Sequence, residues 1–137
     1  MKTLVSFTLG LVILLLFQAC GNSSSTEQWN TLAENTNKGQ YQAPNPPIIY
    51  KSEVFSLTDQ PARIVYEYES PDPDFGAFSV FIVEEFKDSQ VDGAMPQLIV
   101  GNGKANGSQP VEFLSPGRYY LEISGMGDWD VKLEQLQ

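Results

Sequence analysis

From Ile48 onward, apolar residues recur at every second position in short runs, and each run is closed by Gly, Pro, Asn or Asp. A period of two places alternate side chains on opposite faces of an extended chain, so this pattern specifies strands. The run Arg63–Glu69 (RIVYEYE) sets Ile64, Tyr66 and Tyr68 on one face and Val65, Glu67 and Glu69 on the other. Arg118–Ile123 sets Tyr119, Leu121 and Ile123 inward and Tyr120 and Glu122 outward. The last run puts Trp129, Val131 and Leu133 on one face and Asp130, Lys132 and Glu134 on the other. No helical period of useful length occurs after Ile48. The expected fold is all-β: one small antiparallel β-sandwich, jelly-roll-like, of about 7–8 strands, occupying residues 48–137.

The remaining strands are read in the same way. Ile48–Tyr50 and Val54–Leu57 open the domain, and Thr58-Asp59-Gln60-Pro61 turns the chain. Phe78–Phe86 (FSVFIVEEF) is apolar on both faces in its middle, as a central strand would be. Gln97–Val100 is a short strand. Gly101–Ser108 reads as a Gly/Asn-rich turn built around Asn106-Gly107, and Pro110–Leu114 as the strand after it. About 90 residues with Trp129, several Phe and a row of Tyr suffice to bury a core without disulfides.

The chain has 137 residues, 8 Lys+Arg, 17 Asp+Glu and no His, for a net charge of -9. This balance argues against nucleic acid, whose phosphates are neutralised by Lys and Arg. Without His there is no Ser-His-Asp triad and no His-ligated metal. The single Cys excludes an intramolecular disulfide.

The N-terminus has a different character. Lys2 precedes an apolar run from Leu4 to Phe17, shorter than the roughly 20 residues a bilayer span needs and matching a signal-peptide core. Phe17-Gln18-Ala19-Cys20 then follows. This segment resembles the lipobox of bacterial lipoproteins: Ala19 and Cys20 match the usual form, whereas Phe17 and Gln18 depart from its commonest residues. The resemblance implies cleavage after residue 19, palmitate and other acyl chains on Cys20, and membrane anchoring through them. Gly21 in place of Asp implies outer-membrane delivery if the host has an outer membrane. Removing residues 1–19 takes Lys2 away and leaves 7 basic against 17 acidic side chains, a net charge of -10. Anionic lipid repels that charge, so the acyl chains must hold the protein at the membrane. Residues 20–47, polar and closed by Pro44-Asn45-Pro46-Pro47, read as a tether of roughly 30 Å. Trp29 within it is expected either to stay in the tether or to dock on the domain, with Thr31–Asn37 as a short helical turn.

The segment Gly101–Gly107, Val111–Leu114, Pro116-Gly117, Tyr119-Tyr120-Leu121, Gly125–Gly127 and Trp129 resembles small extracytoplasmic β-sandwich domains of bacterial secreted proteins and lipoproteins. It is looser in its likeness to pre-peptidase C-terminal domains. The resemblance covers about Val54–Gln135 and implies an accessory or interaction module with no catalytic residue.

Three groups of residues are candidate sites. Glu69, Asp72 and Asp74 put three carboxylates in six residues. Calcium takes about 6–8 oxygens, and sandwich loops often supply them, so these three are the candidate metal ligands, against an alternative of solubilising turn acids. Asp88 and Asp92 lie in the next loop, at the other end of the Phe78–Phe86 strand, out of reach of the first. Glu67 and Glu69, two residues apart on one face and so ~6.6 Å apart, have the spacing of glycosidase carboxylates. A solvated outer face is the better reading of that pair. Tyr66, Tyr68 and Tyr120 form a candidate platform for a sugar or peptide if their faces are exposed. The sequence thus points to a non-catalytic envelope module that binds a protein, peptide or glycan.

Overall fold

The computed structural model describes residues 26–137; the expected signal segment and Cys20 lie outside the described residues. Those residues form nine strands and no helix. In chain order they are β1 (Trp29–Thr36), β2 (Ile48–Lys51), β3 (Phe55–Leu57), β4 (Ala62–Glu69), β5 (Phe78–Glu84), β6 (Pro96–Val100), β7 (Lys104–Pro110), β8 (Gly117–Gly125) and β9 (Asp128–Leu136). Two antiparallel sheets result, one ordered β1-β9-β4-β7 and the other β2-β8-β5-β6, with β3 also paired to β8. The expected β-sandwich is the fold observed. Strands β2 and β3 act as one interrupted edge strand on β8, and only β5 and β6 are consecutive strands joined as a hairpin.

The two inward faces carry the residues whose alternation announced them. Ile64 and Tyr68 of β4, Leu121 and Ile123 of β8, and Trp129, Val131 and Leu133 of β9 are buried. Phe78 of β5 stacks between the sheets, 4.6 Å from the Tyr68 ring and 6.3 Å from Trp129. Burial of each such side chain contributes about 1.5–3 kcal/mol. Strand β5 sits between β8 and β6, as its two apolar faces predict.

Four sequence expectations are corrected here. The tether does not extend to residue 47. Trp29–Thr36 is strand β1 and pairs with β9 along its whole length, from Trp29 opposite Leu136 to Thr36 opposite Asp130. Neither a loose arm nor a helical turn forms. The pull comes from β9, a core-bearing strand that would otherwise expose an unpaired edge. Leu32 and Ala33 add contacts to the core, and the Trp29 ring stacks on the Arg63 guanidinium at 3.9 Å.

The turn after β6 is also shorter than expected. Asn106-Gly107 is not a turn; it lies inside β7, opposite Glu67 and Tyr66 of β4. Gly101–Gly103 carries the reversal, with Gly103 at φ +94°. Gly107 is needed in the strand because the Tyr66 ring lies over it: a Cβ there would meet the Tyr66 hydroxyl at 3.2 Å. An aromatic covering a cross-strand glycine restores the packing that glycine lacks. Residues 111–116 then form the loop where a strand was expected. Finally, β5 ends at Glu84, and Phe86 lies beyond it in a left-handed conformation.

Two buried amides fasten the strand ends. Asn37 donates from Nδ2 to the Gly127 carbonyl at 2.9 Å, and its Oδ1 accepts from the Trp129 amide at 2.6 Å. Gln135 donates to the Gln60 carbonyl at 2.9 Å and accepts from the Thr58 amide at 3.2 Å. Each closes backbone groups that the ladders leave open.

Candidate functional site

The strand registers sort the loops into two ends. At one end lie the start of β1, the end of β9, the Thr58–Pro61 turn, the loop 111–116 and the loop leaving β5. Gln28 and Gln137 meet there through a 3.0 Å backbone bond. The opposite end gathers residues 37–47, the acidic loop after β4, the Gly101–Gly103 turn and the Met126-Gly127 turn. We call these the entry end and the far end.

The far end holds the acidic loop. Asp72 Oδ1 accepts from the Asp74 amide at 2.8 Å, and Ser70 Oγ donates to the Asp72 carbonyl at 2.7 Å, so Asp72 serves the turn itself. Glu69 turns away to the outer face of β4, where Lys104 binds it at 3.0 Å. The three candidate calcium ligands are therefore not brought together. Among the described residues no group of three His, Cys, Asp or Glu side chains is placed to hold a metal. The Glu69 correction follows from strand alternation: it shares a face with Glu67, not a direction with the loop. Glu67 in turn is held by Lys38 at 2.8 Å, which lowers its carboxyl below the usual value. Both members of the glycosidase-spaced pair are thus exposed and ion-paired to different lysines. Phe75, 62% exposed, is the large apolar side chain of this loop.

The tyrosine platform does not form. Tyr68 is 2% exposed and spends its hydroxyl on the Met126 carbonyl at 2.6 Å. Tyr66 packs half-buried against the core beside Phe78. Tyr120 lies on the outer face of the other sheet, its hydroxyl donating to the Lys87 carbonyl at 2.9 Å. Strand β4 directs its tyrosines into the sandwich, and β8 directs Tyr120 out of it, so the three never share a surface.

The outer face of β8 holds a group that alternation alone did not reveal. Glu122 faces outward, as its place in the strand predicts, yet it is 3% exposed. The loop 87–95 folds over it, and Ser89 Oγ donates to its Oε1 at 2.5 Å. Lys51 Nζ lies 3.1 Å from Oε2 and 3.7 Å from Asp88. Oε2 has no well-aligned donor, so Lys51 holds it as an ion pair across the gap. That contact with Glu122, more than the weaker pull of Asp88, raises the Lys51 ammonium above its usual value. Ser89 itself is buried, and Val83 on the outer face of β5 lines one cleft with residues 92–95 of the same loop. No signal in the sequence marks the site, because Glu122 and Ser89 are 33 residues apart and meet only through the loop.

Two predictions concern this loop. A hydrogen bond to a carboxylate is worth about 1.5–3 kcal/mol, so Ser89→Ala is expected to lower unfolding stability by about 2 kcal/mol in urea. A cost under 0.5 kcal/mol would show the loop is not held there. Asp88 caps the turn by accepting from the Gln90 and Val91 amides at 2.9 and 3.2 Å, and those bonds depress its carboxyl below the usual 3.8. A depressed folded-state value means the stabilisation is present above pH 3.8 and is lost as pH falls through the lower folded value. The amide shifts of Gln90 and Val91 should therefore titrate together with a midpoint below 3.8. A midpoint at or above that value refutes the cap.

No family model matches the chain, and a search of curated proteins found no match.

Proposed function

We propose that this chain is a lipid-anchored, extracytoplasmic lipoprotein whose β-sandwich is a non-catalytic binding module of the cell envelope. The observation that carries this reading is Ala19-Cys20 placed directly after the apolar run Leu4–Phe17. It accounts for the one Cys in the chain, which has no other chemistry to perform. Gly21 favours the outer membrane where one exists. The sandwich supports the non-catalytic half of the reading through what its polar groups do. Glu67, Glu69 and Glu122 are committed to Lys38, Lys104 and Ser89 with Lys51, and the Asp72 and Asp88 side chains cap turns. The far end, with the Asp72–Gly76 loop and exposed Phe75, is the surface offered to an envelope protein, peptide or glycan.

Radiolabelled palmitate tests the anchor. The wild-type chain is expected to incorporate it and to fractionate with membranes, and Cys20→Ser to do neither. Equal labelling of both overturns the anchor. A photo-crosslinker at position 75 in intact cells tests the binding half, and the absence of any adduct there counts against it.

A further inference from the structure

The two most exposed large apolar side chains of the described residues are Phe86 and Phe113, at 96% and 98%. Both adopt positive φ, +73° and +61°, a left-handed conformation that bulky residues rarely take. They come from different loops, one following β5 and the other joining β7 to β8, yet both lie at the entry end. The clefts that they line share Glu84 and Tyr119. Strained backbone that exposes an aromatic side chain calls for a functional explanation.

The occupant of this end is indicated by where the chain enters. Gln28 is at the entry end, and Cys20 precedes it by eight residues. Eight residues span at most ~28 Å, and roughly 15 Å if flexible. A lipid on Cys20 thus keeps the entry end, and not the far end, within about one strand length of the bilayer. Charge at this end is mixed: Asp59 in its turn and Asp92 in the cleft of Phe113 are in no ion pair among the described residues, but the carboxylates beside Phe86 are paired. Glu84 and Glu85, immediately before Phe86, are neutralised by Lys87 at 2.7 Å and Arg118 at 2.6 Å. Met95, 78% exposed, lines the same cleft as Phe113. Glu112, beside Phe113, is in no ion pair among the described residues.

We propose that Phe86 and Phe113 are membrane-seating tips: they enter the lipid interface and hold the sandwich upright with its far end turned away from the bilayer. This rests on the lipid anchor at Cys20. Aromatic rings suit the interface, and the unpaired Asp59, Asp92 and Glu112 make zwitterionic lipid the better surface.

The test uses the full, lipidated chain reconstituted into phosphatidylcholine vesicles, with Phe86→Cys, Phe113→Cys and Phe75→Cys each carrying the same environment-sensitive fluorophore. Labels at 86 and 113 are expected to be quenched by aqueous iodide several-fold less than the label at 75, because a charged quencher is excluded from the apolar part of the bilayer. Adding phosphatidylglycerol should reduce that difference. Equal quenching at all three positions overturns the proposal. So does protection at 86 and 113 that appears in native envelopes but not in pure vesicles, which would mean that a protein covers this end. Palmitate labelling of the same preparations separates the two failures: with no label the anchor itself falls, and with label but no protection only the seating falls.

Discussion

Deleting residues 26–36 is expected to unfold the domain outright, with loss of the cooperative transition at 25 °C and of near-ultraviolet circular dichroism. These residues lie in the stretch that the sequence suggested as a spacer. The deletion strips β9 of its outer partner along the full β1 register and removes Leu32 and Ala33 from the core. It also leaves the Trp129 indole nitrogen without the Asn35 Oδ1 that accepts from it at 2.8 Å. Buried donors left unpaired cost about 1–3 kcal/mol each, and the exposed edge of β9 invites association with other chains. A domain of this size has only about 5–15 kcal/mol in total. If the deleted chain instead retains a sharp thermal transition within a few degrees of the wild type, β1 is an accessory strand.

Trp129→Ala carries the second largest effect, a loss of about 4 kcal/mol in urea-induced unfolding. Trp129 is fully buried, and its ring lies parallel to Phe78 between the two sheets. Its backbone amide and carbonyl are both taken by Asn37, so the strand end cannot shift to fill the hole. A residual cavity is the expected result. Trp129→Phe keeps most of the volume, and its loss should be less than half as large. If the two variants lose equal stability, the indole bond to Asn35 dominates over volume, and the packing account is wrong.

The two segments, both essential to the fold, differ in how far alternation reveals them. Trp129, Val131 and Leu133 were assigned to the core from their spacing alone, because a strand with period two has no other way to bury three large apolar residues. Trp29, Leu32 and Ala33 do not alternate in a run of comparable strength. Their strand forms because β9 recruits it, and pairing with a distant edge leaves little mark on the recruited sequence. The same holds for β7, where Lys104–Pro110 contains Asn106-Gly107, a turn signal overridden by the Tyr66 ring lying across the glycine.

The candidate sites divide along the same line. Alternation placed Tyr66 and Tyr68 on one face of β4 and Tyr120 on the outer face of β8, but it did not say which β4 face was inward. Alternation sets Glu122 away from the core, as the structure has it, but cannot show its enclosure, since burial on an outer face depends on a loop folding back over it.

The amino-acid order by itself determined the all-β class, the inward face of the last strands, the absence of His-based chemistry, and the lipobox-like segment at Cys20. These are local properties of composition and period. Tertiary structure alone decided that β1 belongs to the sandwich, that Glu122 is enclosed by Ser89 and Lys51, that Glu69 parts from Asp72 and Asp74, and that Phe86 and Phe113 gather at the end where the chain enters. The physical reason is common to all four: each is a meeting of residues far apart in the chain, set by strand register and loop closure, and no short window of sequence contains both partners.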